Sequence, residues 1–500
     1  MAREIYSRNW DRMSFDEQRE YRDRKLSYFV NNQLYPYSPY YRRLFDDNKI
    51  RPESIRGVAD LRRLPFTYKA DIAPDSENPE RPRDFILAPD AQLIEEYAPS
   101  WQRMRLRANG IFKGKQFVER DLRRRFSPVH MQFTTGRTGL PTPVLYSTDD
   151  VLRMAEAGRR IMEMSGFGGT ISCDEAIVVN AMPFAPHLAF WMVSEGLSRA
   201  GLLALHTGGG RVMGTRRIVS AIEETHARAI IGMPGYVYHL LREASERGAD
   251  LSSVRLVLVS GERVTSRTKE RMGELLEACG ATEYHVLGAL GFTEARKSYS
   301  ECAPGGETGY HLYPDLDYIE LVDPETEGPV AEGEDGELVY SCLEGQGTCV
   351  MRFRTGDYVK GGIVYEPCPS CGRTVPRLAS DVSRSGELKG FSLTKLKGAL
   401  VDLGAFSRVF KENPDVHDWQ VSISKEGDDP HEVDVLEVFV AVKAGADEEA
   451  LRQRIEGELV EATEVTPNSI EFLTPERLVE RLQSQGGIKE LHVVDRRPEP

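Results

Sequence analysis

VRLVLVSGERVTSRTKERMGELLEACGATEYHVLGAL, residues 254–290, holds two short apolar runs on either side of a helical stretch. VRLVLV and YHVLGAL have the length of buried strands, while TKERMGELLEACG has apolar residues at helical spacing. The same alternation continues from about residue 150 to residue 300, through AIVVNAM and AIIGMP, residues 176–182 and 229–234. Strands alternating with helices predict an α/β fold in which β-sheets are flanked by helices in several layers.

The chain changes character near residue 380. Residues 315–365 are rich in short β-like runs, and residues 381–398 are rich in Ser, Gly and Lys, as in a hinge. Beyond them, VDVLEVFVAV alternates like a strand, and EEALRQRIEGELV places Leu451, Ile455 and Leu459 on one helical face. We therefore expect a large N-terminal domain, residues 1–384, and a small mobile α+β domain, residues 385–500.

Composition excludes several classes of protein. The chain of 500 residues is 40% hydrophobic and 28% charged, as in ordinary globular enzymes. Its net charge of −14 disfavours a nucleic-acid partner, which needs clustered Lys and Arg. No run approaches the ~18 apolar residues of a membrane span, so no membrane partner is expected. Seven cysteines are too few for a disulfide framework and favour a reducing, cytoplasmic location.

MQFTTGRTGLPTPV, residues 131–144, is a loop rich in glycine and hydroxyl groups. Glycines let the backbone approach an anion closely, and backbone N–H groups and hydroxyls donate to phosphate oxygens. The loop lacks the GxxxxGK[ST] pattern of a Walker A motif, and a Gly/Pro surface turn is the alternative. The candidate phosphate ligands are Thr134, Thr135, Gly136, Arg137, Thr138 and Gly139.

Two further motifs follow in order, LGALGFTEA (287–295) and MRFRTGD (351–357). With the loop, and with a lysine near the C-terminus, they make the sequence resemble the adenylate-forming superfamily of acyl-CoA synthetases, adenylation domains and luciferases. Three other stretches make phenylacetate–CoA ligase-like enzymes the most similar group within it. They are LRRLPFTYKADI (61–72), CPSCGRTVPRL (368–378) and GGIKELHVVDRR (486–497), so the resemblance covers nearly the whole chain.

The resemblance implies a role for each motif residue. Thr293 would bind the α-phosphate of ATP, Glu294 would ligate Mg²⁺, and Lys489 would be the mobile catalytic cation. Structural alternatives stay open for three residues: Glu294 also suits a helix start, Asp357 suits a TGD turn, and most lysines like Lys489 face water. The remaining nucleotide-binding positions are Ser260, Gly261 and Glu262, Gly288, Ala289, Leu290 and Gly291, Asp357 for the ribose, and Arg384 in place of the hinge arginine.

The implied activity has two steps. A carboxylic acid and ATP give an acyl-adenylate and pyrophosphate, and a thiol then displaces AMP. The expected partners are a small acid, ATP with Mg²⁺, and CoA or a phosphopantetheine thiol; a homodimer is left open. Two alternatives also stay open: delivery of the acyl group to a carrier protein or an amine, and a non-catalytic nucleotide-binding homologue.

The acyl pocket implied by the resemblance lies near residues 180–187, 233–236 and 288–290. Phe184, His187 and Phe190 in NAMPFAPHLAFWM suit a flat aromatic acid, although aromatic residues are more often plain core.

A metal site is the second expectation. Cys368 and Cys371 have the C-x₂-C spacing of a zinc knuckle, and a structural zinc needs four ligands. Cys302 and His311, in a turn-rich stretch after the 287–295 motif, are the best candidates to complete a Cys₃His set. Cys342 and Cys349 are alternative ligands in stretches that resemble strands, and a pair of reduced loop cysteines is the structural alternative.

Overall fold

The computed structural model describes residues 9–134, 142–174, 176–261, 264–303, 308–384, 393–396, 399–402, 406–407, 409–410, 413–425, 434–443, 446–463, 465–483 and 492–497. The chain divides into two compact units, residues 1–382 and 383–500. The fold is α/β, with several sheets flanked by helices, as predicted. No helix in the described ranges combines the length and apolarity needed to cross a membrane.

The first unit begins with helices. Ser14 caps helix Phe15–Phe29 in a capping box, since its hydroxyl accepts from the Glu17 N–H while its own N–H donates to the Glu17 carboxylate at 2.7 Å. A π-helical turn, Val30–Leu34, follows it. Further helical segments before the first sheet are Tyr35–Tyr37, Pro39–Asp47, Pro52–Ser54, Val58–Arg63, Lys69–Ile72, Arg81–Phe85, Ala91–Tyr97, Ser100–Lys113 and Lys115–Phe126.

The glycine- and threonine-rich loop joins two antiparallel strands, β1 (His130–Phe133) and β2 (Pro143–Tyr146). Helix Thr148–Met164 follows directly, capped by Ser147. The loop is therefore carried by a short hairpin and a well-anchored helix.

A six-stranded sheet forms the centre of the first unit, in the order β4-β3-β5-β6-β7-β8. All neighbours pair in parallel except β8, which is antiparallel to β7. The strands are β3 (Ile177–Asn180), β4 (Leu203–His206), β5 (Ala229–Gly232), β6 (Leu256–Ser260), β7 (His285–Phe292) and β8 (Lys297–Ser300). The connecting helices are Leu188–Ala200, Gly210–Met213, Thr215–Glu224, Pro234–Glu246 and Ser266–Ala278.

The β-rich stretch predicted after residue 315 forms smaller sheets. It contributes β10 (Asp317–Val322), β11 (Gly336–Cys342), β12 (Phe353–Lys360) and β13 (Ile363–Val364), and three strands outside the predicted range add to these sheets: β9 (Tyr310–His311), β14 (Arg377–Leu378) and β15 (Asp381–Arg384). Strands β10, β11 and β12 are antiparallel, and β14 lies between β13 and β9. Cys342 ends β11, whereas Cys349 lies outside any strand.

The second unit has its own α+β core. A hairpin, β16 (Leu393–Leu396) and β17 (Ala399–Asp402), precedes a sheet in the order β20-β19-β18-β21. Its strands are β18 (Val416–Lys425), β19 (Asp434–Val442), β20 (Ser469–Leu473) and β21 (Val493–Asp495), and its helices include Glu448–Thr463 and Pro475–Gln483. Leu451, Ile455 and Leu459 are fully buried, as their helical spacing predicted.

Candidate active site and metal centre

The Thr293-Glu294 motif forms the tight connection between β7 and β8. Residues Thr293–Ala295 make one 3₁₀ turn, and Arg296 completes it with a left-handed φ of 61°. A left-handed conformation is uncommon for a residue with a side chain and persists where the surroundings fix it. The Glu294 side chain is enclosed, with the residue 7% exposed. A carboxylate is therefore held at the end of the central sheet.

A buried ion-pair network fixes this turn. The Arg296 guanidinium lies 2.6 Å from the Asp150 carboxylate, which is fully buried in the first turn of helix Thr148–Met164. Arg153 also pairs with Asp150 at 2.7 Å, and the Gly347 N–H donates to it. Burial alone raises the pKa of Asp150, but the two guanidinium groups and the Ser147 N–H more than offset it and hold that pKa well below its usual value.

We expect Asp150→Asn to lower the free energy of unfolding by about 3 kcal/mol, because it leaves the buried Arg296 guanidinium without its carboxylate partner. Denaturant titration of the full chain measures the change. The neighbouring Asp149→Asn, which removes a partly exposed carboxylate, is the matched control. Equal stabilities of the two variants would contradict this account of the network.

The phosphate-loop candidates are only partly described. Thr134 lies at the base of the loop, where its N–H donates to the Thr142 carbonyl at 3.1 Å. The hydroxyls of Thr134 and Thr142 are both buried and have no hydrogen-bond partner among the described residues. Unpaired buried hydroxyls are costly without a ligand, so they fit the base of an anion-binding loop. The other candidates, Thr135, Gly136, Arg137, Thr138 and Gly139, lie outside the described residues.

The segments assigned to the nucleotide lie on adjacent parallel strands. Ser260 ends β6 and is in register with Ala289 of β7. Gly288 and Leu290 flank Ala289 on the same strand. Gly261 follows Ser260 with a φ of 96°, a conformation that favours glycine. At Gly291, an added Cβ would lie 2.1 Å from the Ser298 hydroxyl, so only glycine fits this close pairing of β7 and β8. Glu262 lies outside the described residues.

Two residues that the sequence analysis missed hold β7 in place. The buried Glu301 carboxylate accepts from the Gly288 N–H at 2.6 Å and from Lys269 Nζ at 2.6 Å. A carboxylate bound to a backbone N–H and an ammonium group is a strong, charge-assisted anchor. The two residues are 32 positions apart, and neither lies in a recognisable motif.

Asp357 and Arg384 lie on other strands, β12 and β15. Asp357 is buried, and it follows Gly356, whose φ of 73° requires glycine. Arg354 of the same motif forms ion pairs with Glu337 and with Glu327. These ion pairs fix β12 to β11 and to the turn that contains Glu327. The backbone of Arg384 is described but its side chain is not, and Lys489 lies outside the described ranges.

An apolar cavity of about 30 Å³ lies between the central sheet and helices Thr148–Met164 and Leu188–Ala200. Met182 and Ala289, from two of the predicted acyl-pocket ranges, line it together with Ser260. Phe184 is 64% exposed and packs edge-on against Phe190. His187 precedes helix Leu188–Ala200, and residues 233–236 do not line the cavity. The enclosed lining is thus built from small and flexible apolar side chains.

The predicted metal ligands lie together. One ligand atom each from Cys302, His311, Cys368 and Cys371 falls within 4.8 Å of the others. The Cys302 and Cys368 sulfurs are 3.7 Å apart, and the Cys371 sulfur is 3.3 Å from His311 Nε2. Tetrahedral zinc with bonds of ~2.3 Å to sulfur places its sulfur ligands about 3.8 Å apart. The side chains therefore fit such an ion.

Three structural elements supply these ligands. Cys302 follows β8, His311 lies on β9, and Cys368 and Cys371 form a knuckle before β14. The knuckle is closed by the Gly372 N–H, which donates to the Cys368 carbonyl at 2.9 Å. The neighbouring Cys302 thiol and His311 imidazole hold the pKa of the Cys371 thiol below its usual value, which favours the thiolate that binds metal. The alternative ligands Cys342 and Cys349 do not belong to this cluster.

Comparison with known proteins identifies a family and several relatives of this chain. The AMP-binding enzyme family matches residues 69–352, which is more than half of the chain and includes both the loop and the Thr293-Glu294 turn. A phenylacetate-coenzyme A ligase of Thermus thermophilus is 24% identical over 71% of this chain and 68% of its own length. The enzyme of the same name from Escherichia coli is 24% identical over 75% of this chain and 73% of its own length.

The fold also matches solved structures. A 2-hydroxyisobutyryl-CoA ligase in the postadenylation state superimposes with a TM-score of 0.72 over 99% of this chain and 93% of that chain, at 20% identity. The same ligase in its thioesterification state gives a TM-score of 0.61 over 97% of this chain and 91% of that chain, at 20% identity. At 20% identity the structural similarity shows the fold alone. The family assignment rests instead on the match of residues 69–352. The chain belongs to the family of AMP-binding enzymes.

Proposed function

We propose that this protein is an ATP-dependent acid–thiol ligase that forms an acyl-adenylate and transfers the acyl group to CoA. The observation that carries the proposal is the enclosed Glu294 turn, fixed by Arg296 and Asp150 in a chain of the AMP-binding family. The relatives named phenylacetate-coenzyme A ligase support CoA as the acceptor and an aromatic acid as the substrate.

In the first step, a carboxylate oxygen of the acid attacks the α-phosphorus of ATP. The new bond joins that oxygen to phosphorus, and the bond from phosphorus to the pyrophosphate oxygen breaks. The chain's contribution is positioning and charge stabilisation, and no protein nucleophile is needed. Thr293 would donate to the α-phosphate, and the loop that begins at Thr134 would hold the β- and γ-phosphates.

A divalent cation completes the proposed site. Glu294 would ligate Mg²⁺, a hard cation that prefers carboxylate and phosphate oxygens, and the ion would neutralise charge on the phosphates. Lys489 would supply the second positive charge, Asp357 would accept from the ribose hydroxyls, and Ser260 with Gly288–Gly291 would border the adenine and the acyl group.

In the second step, the thiol sulfur of CoA attacks the acyl carbon. A carbon–sulfur bond forms, the bond from carbon to the AMP oxygen breaks, and the thiol proton passes to solvent. Both displaced groups are stable anions, which suits a site that works through backbone N–H groups, hydroxyls and cations.

Zinc at Cys302, His311, Cys368 and Cys371 is proposed as a structural ion. Three thiolates and one imidazole fill a tetrahedral site and leave no position for substrate. The seven cysteines, none of them in a disulfide, support a cytoplasmic location. A homodimer stays a prediction.

The test is to incubate the full chain with ATP, Mg²⁺ and CoA across a panel of aryl, aliphatic and amino acids, and to measure AMP and acyl-CoA by mass spectrometry. We expect AMP and the thioester in equal amounts with one class of acid. Acid-dependent AMP with no thioester would instead favour a carrier-protein or amine acceptor. No AMP with any acid would favour a non-catalytic homologue.

A further inference from the structure

Two helices outside the proposed active site form a projecting hairpin. Helices Ser100–Lys113 and Lys115–Phe126 pack against each other and are joined by Gly114, whose φ of 88° makes the turn. We call residues 100–126 the basic hairpin. Leu106, Leu122 and Phe126 pack on the main core, and Arg103 and Arg107 form ion pairs with Glu95 of the preceding helix. All six residues from 111 to 116, at the turn, are exposed.

Large apolar side chains cover the free side of the basic hairpin. Ile111 is 80% exposed and Phe112 is 86% exposed, and both lie at the turn. Trp101 and Met104, on the same helix, are also exposed. Because the hairpin already anchors itself through other residues, these side chains are not used by its own core. An exposed apolar patch of this kind marks an interaction site.

The basic hairpin also carries a charge opposite to that of the chain. It has nine Lys and Arg residues and two acidic residues, a net charge of +7 in a chain of net charge −14. Lys113 and Lys115 flank Gly114, immediately after Ile111 and Phe112. Arg105, Arg120, Arg123 and Arg124 make no ion pair with a carboxylate of the described residues. Positive charge beside aromatic and aliphatic side chains is typical of helices that lie at anionic membrane surfaces.

We propose that the basic hairpin binds the surface of an anionic lipid bilayer, with Ile111 and Phe112 inserted among the lipid chains. Ile111 and Phe112 lie at the exposed turn of the hairpin. A lipid bilayer can deform around such a turn, whereas a folded acidic protein would need a complementary groove. Lys113, Lys115 and the unpaired arginines would lie at the level of the lipid phosphates. The proposed binding is peripheral and revises the expectation of no membrane partner, which was drawn only from the lack of an apolar run long enough to span a bilayer.

Co-sedimentation of the full chain with vesicles tests this. We expect binding to vesicles of phosphatidylcholine and phosphatidylglycerol at least tenfold stronger than to phosphatidylcholine alone, and weaker binding at high salt. The double variant Ile111→Ser, Phe112→Ser should lose about tenfold or more in partition to anionic vesicles, because two large apolar side chains no longer leave water. Leu203→Ser, at an exposed apolar residue outside the hairpin, should bind like the unaltered chain.

Three results would overturn the proposal. One is absence of binding to the anionic vesicles. Another is equal binding by the double variant and the Leu203→Ser control, with unchanged melting temperatures. The third is binding to soluble polyglutamate as strong as to vesicles and insensitive to the double variant, which would indicate an acidic protein partner.

Discussion

Replacing Glu294 with glutamine is expected to lower the rate of acid-dependent pyrophosphate release by at least about a hundredfold. Glutamine has the same shape but no charge, and a neutral amide is a poor ligand for Mg²⁺ beside a triphosphate. Glu294 is enclosed at the end of the central sheet, and the ion pair of Arg296 with Asp150 fixes its turn. The variant should also need more Mg²⁺ for half-maximal rate, which a titration of the metal measures.

The matched control is Glu274→Gln, an exposed carboxylate on helix Ser266–Ala278. It should keep the rate and the Mg²⁺ requirement of the unaltered enzyme. If Glu294→Gln keeps both as well, with the same melting temperature, Glu294 does not bind the metal. If Glu294→Gln loses activity and also has a lower melting temperature, the carboxylate has a structural role instead.

Replacing Cys368 with serine is expected to remove bound zinc and to lower the free energy of unfolding by at least about 5 kcal/mol. A structural metal site contributes its binding energy to folding, so the loss of one thiolate removes most of that energy. The knuckle also holds the N-terminal segment, since Arg373 pairs with Asp11 at 2.9 Å and Gln18 donates to the Thr374 carbonyl at 3.0 Å. Metal analysis and denaturant titration of the full chain measure the two effects together.

Cys173→Ser is the control, because Cys173 is exposed and lies outside the cluster. It should retain one zinc per chain and the original stability. A chain that purifies without metal and is no less stable than the same chain loaded with zinc would contradict the structural role. Chelation should have the same effect as Cys368→Ser if the site is built as proposed.

The sequence predicted the α/β class correctly because the buried strands are short, uniformly apolar runs. AIVVNAM and AIIGMP contain strands β3 and β5, and VRLVLV and YHVLGAL overlap strands β6 and β7. Strand β4, Leu203–His206, was missed because its short apolar run, LLAL at 202–205, comes directly after helix Leu188–Ala200 and cannot be distinguished from a helical segment by periodicity alone. The helices of the basic hairpin were also missed; of their residues only Phe126 is buried, and charged residues interrupt the apolar ones.

The site could be predicted only as far as it depends on local motifs. The Thr293-Glu294 motif and the Cys302, His311, Cys368 and Cys371 set were named from short patterns, their order and a family resemblance, and the structure brings the four Cys and His side chains together. The residues that hold the turn were not, because Asp150 and Arg296 are 146 positions apart and charged residues are ordinarily expected at the surface. Glu301 and Lys269 were missed in the same way. Partners of this kind become visible only once the sheet brings their strands and helices together.

The central claim, formation of an acyl-adenylate, is tested most directly by isotope exchange between pyrophosphate and ATP in the presence of Mg²⁺ and the acid, without any thiol. Because the first step is reversible, labelled pyrophosphate should enter ATP only when a suitable acid is present, and Glu294→Gln should suppress the exchange. Exchange that is absent with an acid from which the enzyme nevertheless makes acyl-CoA would contradict an adenylate intermediate.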